Sequence, residues 1–239
     1  GTPFDLGRGL AAGPFGSTDR FDAANGAKAE PPEDGAFERP IGVYRMAYSY
    51  VCEASATSPR FHWAPHASQT SVYLPVLCAM GVCPAPLASG SVRAIERACA
   101  YWAFRIVKHT ARGLPWQRCL AYIGQRQAKW EAEAAALVGG EAADNPPPAE
   151  AVDALARAVV ADWYALADEL LLRFGDGFEH AQDGGGAWRS TPLAYPADWL
   201  EGVGFYRATS DRPPPPTVEW TAERKRALRN SRAEAGGAK

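Results

Sequence analysis

Between residues 61 and 92 the chain carries no Asp, Glu, Lys or Arg. A stretch that long without charge must be shielded from water, either in lipid or inside protein. Pro65, Pro75, Pro84 and Pro86 interrupt it, together with polar Gln69, Thr70 and Ser71. Each proline removes a backbone donor, and lipid offers nothing to replace the broken helical hydrogen bonds. The expectation is an irregular segment buried in protein, with membrane contact for 61–92 disfavoured. With 47% hydrophobic and 22% charged residues, the 239-residue chain has the means to bury such a segment.

Charge narrows the partners. The formal net charge is −2 and the isoelectric point about 6.1. That balance gives no broad positive surface for nucleic acid and no polybasic anchor for a membrane. Cys52, Cys78, Cys83, Cys99 and Cys119 form no compact disulfide framework, and an odd count suits a reducing, intracellular compartment. Most of these thiols are expected as small core residues. No charged n-region and apolar h-region stand at the front, so no secretory signal is read; a transit peptide already removed stays open.

Helices dominate the middle. Val92, Ile95, Cys99, Trp102 and Ile106 recur at steps of three and four, which predicts a helix over 91–112 capped by Ser91 and ended by Gly113. Trp116, Leu120, Ile123, Gln127, Trp130, Ala134 and Leu137 predict a second helix over 115–138, with Pro115 at its start and Gly139-Gly140 at its end. The short link through Gly113 predicts an αα-hairpin. A third helix over 149–174 follows from Val152, Leu155, Val159, Trp163, Leu166, Leu170 and Phe174, with Gly175 as its C-cap. The run 43–51 reads as helix rather than strand, and a charged helix is expected near 219–234.

These segments define a mainly α fold. It has an irregular helical core, the αα-hairpin plus the third long helix, with extended N- and C-terminal arms. Residues 1–40 form a Gly/Pro-rich arm, 41–88 an irregular and largely uncharged segment, and 89–175 the helical core. Residues 176–239 form a loop-rich extension ending in the charged helix. Arms of this composition bury too little to offset their conformational entropy, so partners are expected to hold them.

Catalytic signatures are weak. His62 and His66 have the spacing of a helical metal pair, but Pro65 lies between them and no acid is near in sequence. Cys83 with His109 or His180 lacks any local activating motif. Gly184–Gly186 is not followed by Lys-Ser or Lys-Thr, so it is no phosphate loop. The carboxylates at Asp168, Glu169, Glu131 and Glu133 read as solvated helix faces. No catalytic residue, metal ligand or cofactor is assigned. Trp102, Trp116, Trp130 and Trp163 fall on helix stripes and are expected in the core. Trp188, Trp199 and Trp220 fall outside the stripes and suit partner-binding anchors.

The arm reads Phe15-Gly16-Ser17-Thr18-Asp19-Arg20-Phe21 and, further on, Pro31-Pro32-Glu33-Asp34-Gly35-Ala36-Phe37. It resembles the sperm-tail PG-rich repeat of ciliary and flagellar proteins, which pairs an F-G-x-x-x-R-F-like element with P-G-P-G-x-Y. Phe15, Gly16, Arg20 and Phe21 match the first part; Pro31, Gly35 and Phe37 match the second. Glu33-Asp34 stands where the family has Gly-Pro, and Phe37 where it has Tyr. The resemblance implies a non-enzymatic protein bound to axonemal doublet microtubules, with tubulin among its protein partners and these residues as anchors. Two other readings stay open. One is an accessory subunit of an organellar respiratory, photosynthetic or ribosomal complex. The other is a small helical enzyme or ligand-binding protein with a pocket at Trp102, Trp116 and Trp130.

Overall fold

The computed structural model describes residue 7, residues 12–19, 40–54 and 59–78, residue 81, and residues 83–139 and 146–205. The chain divides into two compact units, residues 1–199 and 200–239. In the second unit the described residues 200–205 are the end of a short helix and the turn after it, in which Phe205 N–H donates to the Leu200 carbonyl at 2.9 Å.

The first unit opens on a three-stranded antiparallel sheet in the order β1 (Tyr48–Glu53), β2 (Arg60–Pro65), β3 (Leu74–Leu77). A 3-10 turn, Ser68–Thr70, joins β2 to β3. Short α1 (Ala85–Ala88) precedes α2 (Ala100–Arg112), α3 (Trp116–Val138) and α4 (Ala149–Phe174). An antiparallel hairpin, β4 (Phe178–Gln182) with β5 (Trp188–Pro192), follows, and then α5 (Ala197–Gly202). About 49% of the described residues are helical and 17% lie in strands. The fold is therefore mixed α and β rather than mainly α.

The long helices form where expected, since α3 and α4 keep their apolar faces for the whole predicted length. On α4, Val152, Val159, Trp163, Leu166, Leu170 and Phe174 are all buried. Phe104 of α2 meets Trp163 edge-to-face at 5.4 Å, in the centre of the core. Burying a side chain of this kind contributes on the order of 1.5–3 kcal/mol. α2 packs more extensively on α4 than on its neighbour α3, so the helices form a three-way cluster rather than a simple hairpin pair.

The 3-10 turn ties the sheet to this cluster. Trp163 Nε1–H donates to the Thr70 carbonyl at 2.7 Å, and Gln127 Nε2–H donates to the Ser71 carbonyl at 2.7 Å. Both acceptors lie in the uncharged stretch, where an unpaired carbonyl would cost more than the bond itself gains. Ala64, His66, Thr70, Ser71, Val72 and Leu74 are buried, so the first half of that stretch is packed in protein as expected, but as strands and a turn. Among the described residues, no helix is long and apolar enough to cross a membrane.

Polar groups brace α3 against α4. The Arg126 guanidinium reaches both Asp162 and Glu169, while Trp130 Nε1–H donates to the other oxygen of Asp162 at 2.7 Å. Arg173 also donates to Glu169, at 2.7 Å. Glu131 accepts the Tyr73 N–H at 3.3 Å. Glu169 and Glu131 thus hold elements together rather than lining a solvated face.

Several expectations fail for identifiable reasons. Residues 48–51 of the run expected as helix belong to β1, because the aromatic Tyr-Ser-Tyr alternation has the two-residue period of a strand. α2 begins at Ala100 instead of Ser91; Val92 is 83% exposed and Ile95 57%. Gly90, at φ +127°, fixes the preceding loop. A Cβ there would stand 2.4 Å from Cys99 Sγ, directly at the start of α2. The buried face of α2 runs through Ala100, Ala103, Phe104, Val107 and Ala111, so small residues displaced the expected stripe. Cys52, Cys78 and Cys83 are exposed, leaving only Cys99 and Cys119 in the core. Gly175 caps α4 as expected, its N–H donating to the Leu171 carbonyl, and the left-handed residues Asp176 and Gly177 follow it.

Part of the N-terminal arm folds onto its own chain. Ala12 is buried, the Phe15 carbonyl accepts the Trp116 N–H at 3.2 Å, and Asp19 pairs with Lys108 of α2 at 2.8 Å. The expectation that partners hold this arm is therefore corrected for residues 12–19. The predicted charged helix at 219–234 lies outside the described residues.

Candidate functional site

Side chains alternate across a strand, so Tyr48, Tyr50 and Cys52 share one face of β1. The register pairs them with Pro65, Trp63 and Phe61 of β2. Four rings from this face interlock. Tyr48 stacks on Trp63 at 4.2 Å between centroids, Tyr50 meets Phe61 at 5.1 Å, and Phe61 meets Trp63 at 5.6 Å. These are diagonal and along-strand neighbours, within reach of large side chains on a twisted sheet. Each such aromatic pair is worth about 0.5–1.5 kcal/mol beyond its area burial.

This cluster faces outward on its β1 side. Tyr48 is 48% exposed and Tyr50 is 55% exposed, while Phe61 and Trp63 are half-buried. No Asp, Glu, Lys or Arg stands among the six residues of the β1–β2 face. The charges of these strands lie on the opposite face, where Glu53 approaches Arg60 at 3.8 Å and His62 at 3.7 Å. Among the described residues, β1 pairs with β2 alone and its outer edge carries no partner strand. Edge strands are usually blunted by Lys, Pro or a bulge. The sequence Tyr-Ser-Tyr-Val-Cys-Glu has none of these, and its single charge is Glu53 at the end.

The residues expected as partner anchors go elsewhere. Phe15 and Gly16 join Gln117, Arg118, Leu193 and Trp199 around a cavity of about 460 Å³ at the start of α3. The Tyr195 ring lies between Phe15 at 5.9 Å and Trp199 at 5.5 Å. Arg118 on the rim is paired with Glu179 of β4. Trp188 stands on β5, 53% exposed, and does not line this cavity. Arg20, Phe21, Pro31, Gly35, Phe37 and Trp220 lie outside the described residues.

Other expected sites separate. Trp116 and Trp130 are buried, whereas half-buried Trp102 donates from Nε1 to the Ser91 carbonyl at 2.7 Å, so the three do not frame one pocket. A second cavity, about 420 Å³, has Cys83, Ala85, Glu150, Asp153 and Arg157 in its wall. The Ala85 N–H, then Arg157, hold the Asp153 carboxyl below its usual range. Burial pushes the Cys83 thiol up, the opposite of what a nucleophile needs. Among the described residues no three His, Cys, Asp or Glu side chains come close enough to hold a metal ion. Asp183 accepts from the Gly185 and Ala187 N–H groups, each at 3.0 Å, which makes the glycine run an ordinary hairpin turn.

The aromatic face was missed in the sequence, although Tyr-Ser-Tyr and Phe-His-Trp both carry the strand period. Taken separately, neither reveals that the two would be paired. No family model matches the chain, and no curated protein and no solved structure matches it.

Proposed function

We propose that the chain is a protein–protein interaction module of a larger assembly, and that a second protein layer covers the aromatic face of β1 and β2. The exposed, charge-free four-ring cluster on an unblunted edge strand carries this reading. A sheet face of this composition is stable when another layer closes over it. Aromatic residues are enriched, and charged ones depleted, in the cores of protein interfaces. A nucleic-acid backbone would find no cation on this face to replace its counterions. The layer that fits is neutral and apolar.

The test is footprinting of tyrosines in the native extract and in the purified chain. Tyr48 and Tyr50 are expected to be shielded in the extract and reactive when purified, with Tyr50→Lys abolishing the shielding while leaving the unfolding midpoint in place. Equal reactivity in both preparations refutes the covered face.

The narrower ciliary reading is supported by the arm motif alone, and Phe15 and Gly16 of that motif are engaged within the chain. A ligand-binding reading draws its support from the cavity beside Phe15 and Trp199.

A further inference from the structure

Arg105, Lys108, His109 and Arg112 stand at intervals of three and four along α2, which places them on one face of the helix. Facing them is His66, from the turn that ends β2. Its ring lies 5.5 Å from the Tyr101 ring and 6.0 Å from the His109 ring. His66 has a left-handed φ of 63°, a conformation non-glycine residues seldom adopt. It is fully buried, yet neither ring nitrogen has a hydrogen-bond partner. A strained, buried and unsatisfied imidazole costs free energy twice over and calls for an explanation.

The surroundings are one-sided in charge. Burial first, then His109, Arg105 and Lys108, lower the His66 pKa to about 3. His109 is shifted down by burial, then by Arg105 and Arg112, with Asp19 acting in the opposite sense. The Arg105 guanidinium donates to the Tyr101 hydroxyl at 2.6 Å, on the same ring that His66 abuts. Lys108, beneath the Trp116 ring at 4.0 Å, is paired with Asp19. Among the described residues, Arg105 and Lys108 both act on His66, and the Asp19 carboxylate is paired with Lys108.

We infer that this face of α2 is an oxyanion site, in which the His66 ring N–H and the Arg105 guanidinium receive a carboxylate or phosphate group. A neutral imidazole always keeps one N–H, so His66 donates without being charged. His109, exposed and 6.0 Å from the His66 ring, marks the side from which an anion would approach. Asp19 shows the same chemistry in miniature: a carboxylate already seated against one cation of the set. Charge-assisted hydrogen bonds of this kind are the strong ones, and guanidinium suits planar or tetrahedral oxyanions.

The test titrates the purified chain with sodium phosphate and, separately, with sodium acetate. Both are run against sodium chloride at equal ionic strength, following His66 by its ring-proton NMR signal and affinity by calorimetry. Saturable binding that moves the His66 signal is expected in at least one series; phosphate alone assigns a phosphoryl group, and acetate assigns a carboxylate. Arg105→Gln, a half-exposed position, is expected to weaken binding at least about tenfold, the loss of one charged hydrogen bond. His109→Ala keeps the binding and speeds exchange. No saturable binding in either series overturns the site, as does binding that Arg105→Gln leaves intact or that never perturbs His66.

Discussion

Replacing Asp19 by Asn removes one partner of an ion pair that is almost entirely out of water. The Lys108 side chain is 0% exposed and the Asp19 side chain 2% exposed, with 2.8 Å between Nζ and Oδ1. Leaving one member of a buried pair uncompensated costs about 3–5 kcal/mol, a large fraction of the ~5–15 kcal/mol that holds a domain folded. Protonation limits that loss. Burial already lowers the Lys108 pKa from 10.5, against the raising effects of the Asp19 hydrogen bond and charge. Without Asp19 only burial and Arg112 remain, so the amine sheds its proton at still lower pH. Between the folded and unfolded pKa values the unfolded chain binds more protons, and stability rises with pH across that window. The deficit of Asp19→Asn is therefore expected to be largest at about pH 7 and to shrink towards about pH 10. Lys108→Met in the same chain should restore most of it, since a neutral pair of similar volume leaves no buried charge. Urea unfolding followed by tryptophan fluorescence measures all three proteins. A deficit under about 1 kcal/mol, indifferent to pH and to the second substitution, would show that the arm does not hold Lys108 as described.

Two further expectations concern the turn residues. His66 is neutral in the folded chain down to a pKa of about 3 against 6.5 for an ordinary histidine, so the unfolded chain takes up the extra proton within that window. Stability should fall as pH drops through it, by about 1.4 kcal/mol per pH unit from this group, and His66→Phe should flatten the slope by that amount; an unchanged acid limb in denaturant titrations contradicts the assignment. Gly90→Ala would set a Cβ 2.4 Å from Cys99 Sγ at a φ of +127°, and should cost at least about 2 kcal/mol through overpacking and backbone strain together. A calorimetric unfolding midpoint equal to that of the parent chain would mean the loop can move away freely.

How much of this was legible in the sequence depends on the range over which each pattern acts. α3 and α4 were readable because their large apolar residues repeat for many turns and their ends carry Pro115, Pro148 and Gly139. α2 was readable only in part. Its buried face rests on alanines that carry little hydrophobic signal, whereas exposed Val92 and Ile95 happened to extend a helical period. The sheet was lost because pairing is a relation between distant segments. Tyr50 and Trp63 become neighbours through the register of β1 and β2, and nothing local to either states it. The same holds for the polar cluster. Asp19 belongs to a segment of arm-like composition, and its partner Lys108 is a charged residue within a helix otherwise read for its apolar stripe.

The guanidinium of Arg126 deserves a different description from that of a stabilising contact. Asp162 and Glu169 stand seven residues apart on α4, about 10 Å along its axis. Were α3 to slide by one turn of α4 in either direction, the cation would face positions such as Ala158 and Ala165, or Leu166 and Arg173. None of these offers an acceptor. Leucines and alanines would mesh almost as well after such a slip, because apolar contact is tolerant of which residue meets which. The two carboxylates act as a vernier: they encode the axial alignment of the helices separately from the energy of bringing them together. Apolar substitutions in this core can therefore drift in evolution without disturbing where the 3-10 turn, and the sheet attached to it, are held.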